Sequence, residues 1–430
     1  MPTSFRHGAS PASPNDVRRR FLLGAGAAAS AAWLREGAAA TPGAIEHPVP
    51  EDPSKVPGVP LEDTSYGARS QFETEVRTRY GKTSTALSSW TFTPLQNSMG
   101  IVTPSGLHFE RSHAGTAIVD PARHFLFLHG LVQRARKWSM PDLRRFPSVS
   151  RLLFIECSGN GLTEWSKPTL NTVQETHGLT STSEWTGVPL STLLNEAGVN
   201  PEARWVLAEG ADGAAMTRSI PIDKAMRDCI VAWGQNGEAL RPEQGYPLRL
   251  IVPGYEGNMH IKWLRRLQLA DSAFMTREET SKYTDLLPDG KARQFTFEME
   301  AKSVITSPSG GMTLPGAGFH EITGLAWSGR GTITRVDVSV DGGRSWREAT
   351  LQQPVLPICH ARFRLPWQWD GREAILQSRC TDDTGYVQPT IGQLVAVRGL
   401  NGPVGSVYHL NGIQSWKVAS DGKVSNVHHY

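Results

Sequence analysis

The run Leu152-Leu153-Phe154-Ile155-Glu156 is followed at once by Cys157-Ser158-Gly159-Asn160-Gly161. The first five residues read as a short strand, apolar up to its last position, of a kind that buries in a sheet. The next five cannot continue it. Gly159, Asn160 and Gly161 are turn formers, and glycine there lets a bulky group approach the backbone closely. The pattern predicts a rigid strand end that carries one soft sulfur donor at a tight turn. Three roles suit Cys157: a transition-metal ligand, a nucleophile with His177 as its base, or plain buried core. The residues alone leave all three open.

Working outward, residues 85 to about 292 mix strands with short helices. His124 to Val132 (HFLFLHGLV) and Tyr246 to Val252 (YPLRLIV) have strand length and apolar composition. Pro189 to Ala197 reads as a short amphipathic helix stopped by Gly198, and Pro221 to Met226 as another helix start. From about 293 the texture changes to short strands separated by turn signals. Val336 to Val340 alternates, Asp341-Gly342-Gly343 makes a hairpin turn, and Ser345-Trp346 starts the return. Ala374 to Arg379 and Gln393 to Arg398 are expected to continue that strand spacing. This is the pattern of an immunoglobulin-like β-sandwich running to residue 430.

Four cysteines are present: Cys157, Cys229, Cys359 and Cys380. None forms a C-x-x-C or C-x-x-C-H pattern, so no redox dithiol or attached c-type haem is expected in this chain. Cys229 sits in an apolar run and reads as core. Whether Cys359 and Cys380 pair across the sandwich stays open.

At the other end, Arg18-Arg19-Arg20-Phe21-Leu22-Leu23 fits the twin-arginine export pattern. A small-residue apolar run and Ala38-Ala39-Ala40 follow, predicting a signal peptide over 1–40 and export to the periplasm. The run is too short to span a membrane, which needs roughly 20 apolar residues. Gly24-Ala25-Gly26-Ala27-Ala28-Ala29 mimics a dinucleotide-binding loop, but no strand precedes it. Residues 41–84, rich in proline, are expected to form an extended arm. The whole chain has 44 basic and 41 acidic residues, a net charge of +3. Residues 1–40 carry Arg6, Arg18, Arg19, Arg20 and Arg35 against Asp16 and Glu36, which accounts for all of that excess. No nucleic-acid partner is therefore expected. With 39% hydrophobic and 20% charged residues, the chain is neither a disordered polyelectrolyte nor a multi-span membrane protein.

Several of these stretches together resemble the sulfite oxidase family of molybdoenzymes. The resemblance rests on Glu156 to Asn160, Gly178 to Val188 (GLTSTSEWTGV), Gly254 to Leu264 (GYEGNMHIKWL) and Val338 to Trp346 (VSVDGGRSW), in that order. It implies an α+β protein, with a mixed α/β molybdopterin-binding domain over 85–292 and an Ig-like dimerisation domain over 293–430. It implies a molybdenum–molybdopterin cofactor with Cys157 as the metal ligand. Arg111 becomes a substrate contact, within Arg111-Ser112-His113 and just after Phe109; Ser112 departs from the family's Asn. Asp212, Arg249 and His260-Ile261-Lys262 become cofactor contacts, and Gln244 stands where the family has His. Tyr283 and Arg398 complete the expected catalytic set.

Two departures select a branch. Gly161-Leu162 replaces the family's Arg pair, and Glu175-Thr176-His177 stands where a pocket Trp precedes Gly178. A lost cation and a lost indole imply a wider pocket, less selective for a free dianion. These departures, the leader and Thr176 to Thr182 resemble the sulfane dehydrogenase (SoxC-type) branch. That resemblance implies sulfane sulfur on a SoxYZ-like carrier as substrate and a dihaem c-type cytochrome (SoxD-like) as electron acceptor. It also implies a homodimer inside an α2β2 assembly, with free sulfite as the alternative substrate. A cofactor-free binding module and a cysteine hydrolase are the rivals from other classes.

Overall fold

Val149–Glu156 forms a strand that pairs along its whole length with Thr180–Pro189, from Val149 opposite Gly187 to Glu156 opposite Thr180. The computed structural model describes residues 66–429 except 68, 71, 82, 84, 288 and 400–408. The export signal and cleavage site expected over 1–40, and the first part of the expected arm, lie outside the described residues. Gln71–Tyr430 is one compact unit. Tyr66, Gly67, Arg69 and Ser70, just before it, have no regular structure. Thr78–Arg79 is not free arm: it pairs with Phe92 and Thr91 of the strand Ser89–Phe92, which in turn pairs with Glu110–Ser112.

Two five-stranded sheets build the first region. One runs Glu238–Ala239, Ile230–Gln235, Thr180–Pro189, Val149–Glu156, with Arg249–Ile251 also on Ile230–Gln235. The other runs Arg136–Ser139, Phe125–Gly130, Leu264–Ala270, Trp205–Gly210, Thr217–Pro221. Its one parallel pair, Phe125–Gly130 with Leu264–Ala270, makes the domain mixed. The helices Leu190–Ala197 and Ile222–Arg227 fall where apolar spacing predicts them. Leu190, Leu193, Leu194 and Ala197 are the buried stripe of the first. The strand expected over 246–252 shortens to Arg249–Ile251, beyond Pro247, which has no N–H to give a ladder.

The second region is a β-sandwich. A four-stranded sheet (Lys302–Ser307, Gly318–Trp327, Ala361–Trp369, Thr350–Gln352) faces a five-stranded one (Arg347–Glu348, Ile333–Ser339, Ala374–Asp382, Ser415–Val418, Val424–Val427). Ala361–Trp369 buries every second residue, Ala361, Phe363, Leu365, Trp367 and Trp369, so its period of two sets the inward face. The return strand of the expected hairpin is Arg347–Glu348, opposite Val338 and Asp337. It starts two residues late because the Asp341 carboxylate accepts from the Ser345 N–H (2.9 Å) and hydroxyl (2.6 Å), which keeps Ser345 in the turn.

One element differs in type. Residues 391–398 form a helix, Ile391–Arg398, not a strand. Thr390 and Gln393 make a capping box, each side chain bonded to the other's backbone N–H, and Gly399 ends the helix at φ +76°. The motif Thr-x-x-Gln was readable in the chain.

The boundary near 292 is not a break in packing. Leu95, Phe154 and Val173 of the first region share one apolar core with Trp327, Phe363 and Trp416 of the sandwich. Below that core, Lys302 reaches the Glu156 carboxylate at 2.9 Å, both side chains fully buried. The four cysteines are free, so Cys359 and Cys380 do not pair. No helix among the described residues is long and apolar enough to cross a membrane.

Candidate functional site

The Cys157 turn is fixed from three sides. The Cys157 N–H donates to the Leu179 carbonyl (2.9 Å), and the Asn160 N–H closes the turn on the Cys157 carbonyl (2.9 Å). The Asn160 carboxamide donates to Glu156 (2.9 Å) and accepts from the Leu179 N–H (3.1 Å). Gly257 backs the turn. A Cβ there would sit 2.7 Å from the Glu156 carbonyl oxygen and 3.1 Å from the Cys157 Cα. Gly257→Ala should therefore displace the turn at a cost of about 1–3 kcal/mol. A lowered denaturant midpoint together with reduced turnover would register it, and an unchanged midpoint would refute the packing argument.

Cys157 opens into a cavity. The structure brings Phe109, Arg111, Ser112 and His113 to one wall, and Arg249, His260, Ile261 and Lys262 to another. Asp212 and Tyr283 also line it. So all the expected site residues lie there except Arg398. The chain separations are large, and the sheets that meet here make them neighbours.

The charges are unbalanced. Arg249 is buried, its guanidinium donating to the Gln244 carbonyl (3.2 Å) and side-chain oxygen (2.8 Å) and lying over the Trp185 ring. Its Nε has no partner, no carboxylate among the described residues pairs with it, and burial brings its pKa down to about 9. Lys262 donates to the carbonyls of Arg111 and Glu243, both at 3.0 Å, and has Glu110 at 3.6 Å. Burial lowers its pKa to about 8, despite the opposing pull of Glu110. A cavity holding buried, under-compensated cations fits an anionic, polar-edged ligand. A pterin phosphate is of that kind, with Cys157 as the one thiol on the wall.

Because Lys262 loses its charge as pH rises past about 8, anion binding to the cofactor-free protein should weaken above that pH. Lys262→Arg should keep the affinity level to a higher pH. Calorimetric titration with sulfate, whose charge is constant over this range, at pH 7 and at pH 8.5 on the parent and Lys262→Arg checks this. Equal affinities would exclude Lys262 as a contact.

His260 lines the cavity as expected, and it does so as a neutral group. Its Nδ1 accepts from the Val252 N–H (3.3 Å) and its Nε2 donates to the Tyr255 carbonyl (3.2 Å). Burial first, then Arg249, lowers its pKa to about 3, so it is neutral and offers no cationic donor. His113 is likewise neutral, its pKa lowered to about 3 by burial and Arg111. It bridges Arg111 (3.1 Å) and the Tyr283 hydroxyl (3.3 Å). Ser112 donates its hydroxyl to the Gly115 carbonyl (2.7 Å). Tyr283 stays protonated, since burial pushes it far up.

Arg398, expected in the pocket, lies elsewhere. It ends the helix Ile391–Arg398, pairs with buried Glu300 and donates to the His409 carbonyl (3.1 Å). The carboxylate neutralises it in place. The two departures expected to widen the pocket also do not line the cavity. Leu162 packs against the apolar cluster of Trp165, Leu394 and Leu410. Glu175 caps its own helix, and His177 bonds the Thr176 hydroxyl at 2.9 Å. His177 therefore does not serve Cys157 as a base, and burial raises the thiol's pKa where a nucleophile needs it lowered. The cysteine-hydrolase reading has no geometry.

The cavity is also lined by Glu110, Met216, Gly257, Asn258 and Trp263, which the motifs do not single out. Asn258 sits inside the GYEGNMHIKWL stretch, so proximity to His260 was its signal. Trp263 adopts φ +52°, rare for a bulky side chain, and is held by its indole bond to the Pro242 carbonyl (3.1 Å). Nothing local predicts that.

Comparison with known proteins agrees with this geometry. The profile described as "Oxidoreductase molybdopterin binding domain" matches residues 113–277, and "Mo-co oxidoreductase dimerisation domain" matches 293–415. Mouse mitochondrial sulfite oxidase is 31% identical over 70% of this chain; the chain spans 60% of that protein's length. Chicken sulfite oxidase is 30% identical, covering 72% of each chain. The crystal structure of the sulfane dehydrogenase SoxCD from Paracoccus pantotrophus matches with TM-score 0.85 and 48% identity, over 87% of this chain and 97% of that one. The chain belongs to the sulfite oxidase family of molybdenum-cofactor oxidoreductases.

Proposed function

We propose that this chain is the catalytic subunit of a sulfane dehydrogenase. It would oxidise sulfane sulfur held on a carrier-protein cysteine of SoxYZ type, with oxygen from water. The observation that carries the choice is the charge at the Cys157 end of the cavity. Of the lining cations, Arg111 is the one acting on Cys157; His113 is neutral, Tyr283 is neutral, and Arg398 is tied to Glu300. One guanidinium suits a thiol-linked sulfur better than a free dianion, which calls for several converging cations. The match to SoxCD supports the same substrate class.

When bound, the molybdenum cofactor supplies two-electron acceptance and oxygen transfer. Cys157 is the residue to ligate it, and Arg249 and Lys262 hold its anionic part. Asp212, Ser112, Phe109 and Ile261 shape the remaining wall. Arg111 orients the sulfur substrate and steadies the oxyanion formed on it. The neutral Tyr283 hydroxyl donates a hydrogen bond there without adding charge. A dihaem c-type cytochrome (SoxD-like) would serve as the electron acceptor, since no haem attachment motif occurs in the sequence. Export by the twin-arginine route to the periplasm, and a homodimer within an α2β2 complex built on the sandwich, complete the reading.

Initial rates with carrier-bound sulfane and with free sulfite, using a c-type cytochrome as acceptor, test it. Faster turnover of the carrier-bound form is expected. A fast, tight reaction with free sulfite would make the protein a sulfite dehydrogenase instead.

A further inference from the structure

Behind the Cys157 end of the cavity lies a charged cluster that the reading above does not use. Arg218, on the strand Thr217–Pro221, is fully buried. Its guanidinium carbon lies 5.1 Å from the centre of the Tyr283 ring. Glu279 stands 3.6 Å from its Nε, Glu256 stands 4.0 Å from one terminal nitrogen, and that nitrogen also bonds the Asn258 side-chain oxygen. The other half of the Asn258 carboxamide donates to Glu256 (2.8 Å) and to the Ser158 hydroxyl (3.2 Å). A cation on its oxygen and a carboxylate on its nitrogen leave the amide one orientation. Both Asn258 and Tyr283 line the cavity, and Ser158 is the neighbour of Cys157.

We propose that Arg218 is a positioning residue for the reacting end of this cavity: it backs the Tyr283 ring and, with Glu256, locks the Asn258 carboxamide against the Cys157 turn. Arg218 does not line the cavity itself and acts through two groups that do. The proposal rests on the reading of the Cys157 end as the place of reaction.

Charge balance supports it. Burial raises the Glu256 pKa to about 7, opposed by Arg218 and the Asn258 bond, with Asp285 raising it further and Arg293 lowering it. Above about pH 7 the ionised carboxylate both balances Arg218, which Glu279 also faces, and accepts strongly from Asn258. Below it, that acceptor weakens. Turnover should therefore fall as pH drops through about 7.

The test uses holoenzyme variants Arg218→Lys, Asn258→Ala, their double, and Glu256→Gln. The probe is a peptide cysteine persulfide with ferricyanide as acceptor. Lysine keeps the charge but not the planar fork. Each single change should lower kcat about 10–100-fold with KM little altered and molybdenum content unchanged, the scale of residues that orient ligating groups. The double should lose distinctly less than the product of the single losses. Glu256→Gln should flatten the pH profile near 7. A strictly multiplicative double, or a pH profile in Glu256→Gln like that of the parent, would overturn the proposal. The paramagnetic resonance signal of dithionite-reduced enzyme is read in parallel, without substrate. It should change in Arg218→Lys and in Asn258→Ala, and an unchanged signal in both of these would also overturn the proposal. If the parent enzyme ignores the persulfide, the substrate reading fails, while the resonance signal still decides the positioning role. Should Arg218→Lys fail to accumulate, Asn258→Ala and Glu256→Gln carry the same comparisons.

Discussion

Cys157→Ser is expected to lower turnover at least about 1000-fold, the loss that follows removal of a group on which the chemistry depends. A serine oxygen is hard and protonated at neutral pH, so it replaces neither the softness nor the charge of a thiolate. The residues proposed to hold the pterin's anionic part are others, Arg249 and Lys262, which also line the cavity. The variant should therefore retain part of its pterin while losing activity. Turnover and the fluorescence of released pterin, measured on the same preparation, separate the two effects. Unchanged turnover would exclude Cys157 as a ligand. Complete loss of pterin would mean that the thiolate, not the cations, provides most of the cofactor affinity.

The second large effect is structural. Lys302→Met should destabilise the protein by about 3–5 kcal/mol, because it strands the fully buried Glu156 carboxylate without its cation. The Glu156 carboxylate receives Lys302 (2.9 Å), the Asn160 amide (2.9 Å) and the Trp327 indole N–H (2.7 Å). Two neutral donors remain after the substitution, but no countercharge does. The loss also loosens the turn, since Lys302 holds the Asn160 carbonyl at 3.0 Å. Activity should fall with stability, although residue 302 lies outside the cavity. Glu156→Gln with Lys302→Met removes both charges and should recover most of the stability. Urea unfolding of the parent and the two variants checks this. A single variant as stable as the parent would mean that Trp327 and Asn160 satisfy the carboxylate alone.

Much of the fold was legible from local pattern. The strand Val149–Glu156 and its glycine-rich stop, the helix Leu190–Ala197 before Gly198, and the alternating strands of the sandwich follow from period and turn chemistry. The apolar spacing of residues 393–398 suits a strand, and the Thr390–Gln393 capping box makes Ile391–Arg398 a helix instead. The site was legible only through motifs that lie far apart in sequence. They named which residues belong together, but not their charge states. His260 looks like a donor in the chain, and only its two backbone partners and burial make it neutral.

The opening stretch, then, determined by itself a buried strand, a tight turn and one cysteine at its head. That much depends on residues within a few positions of one another. What the tertiary structure decided depends on residues that only packing makes neighbours. Glu156 meets Lys302 across 146 positions, and Arg218 reaches Tyr283 from another strand. Arg249 is left without a carboxylate among the described residues, while Arg398 is supplied with one by Glu300. Burial sets the strength of a charge and its neighbours decide whether it is balanced. Neither is written in local sequence, because both are properties of the assembled interior.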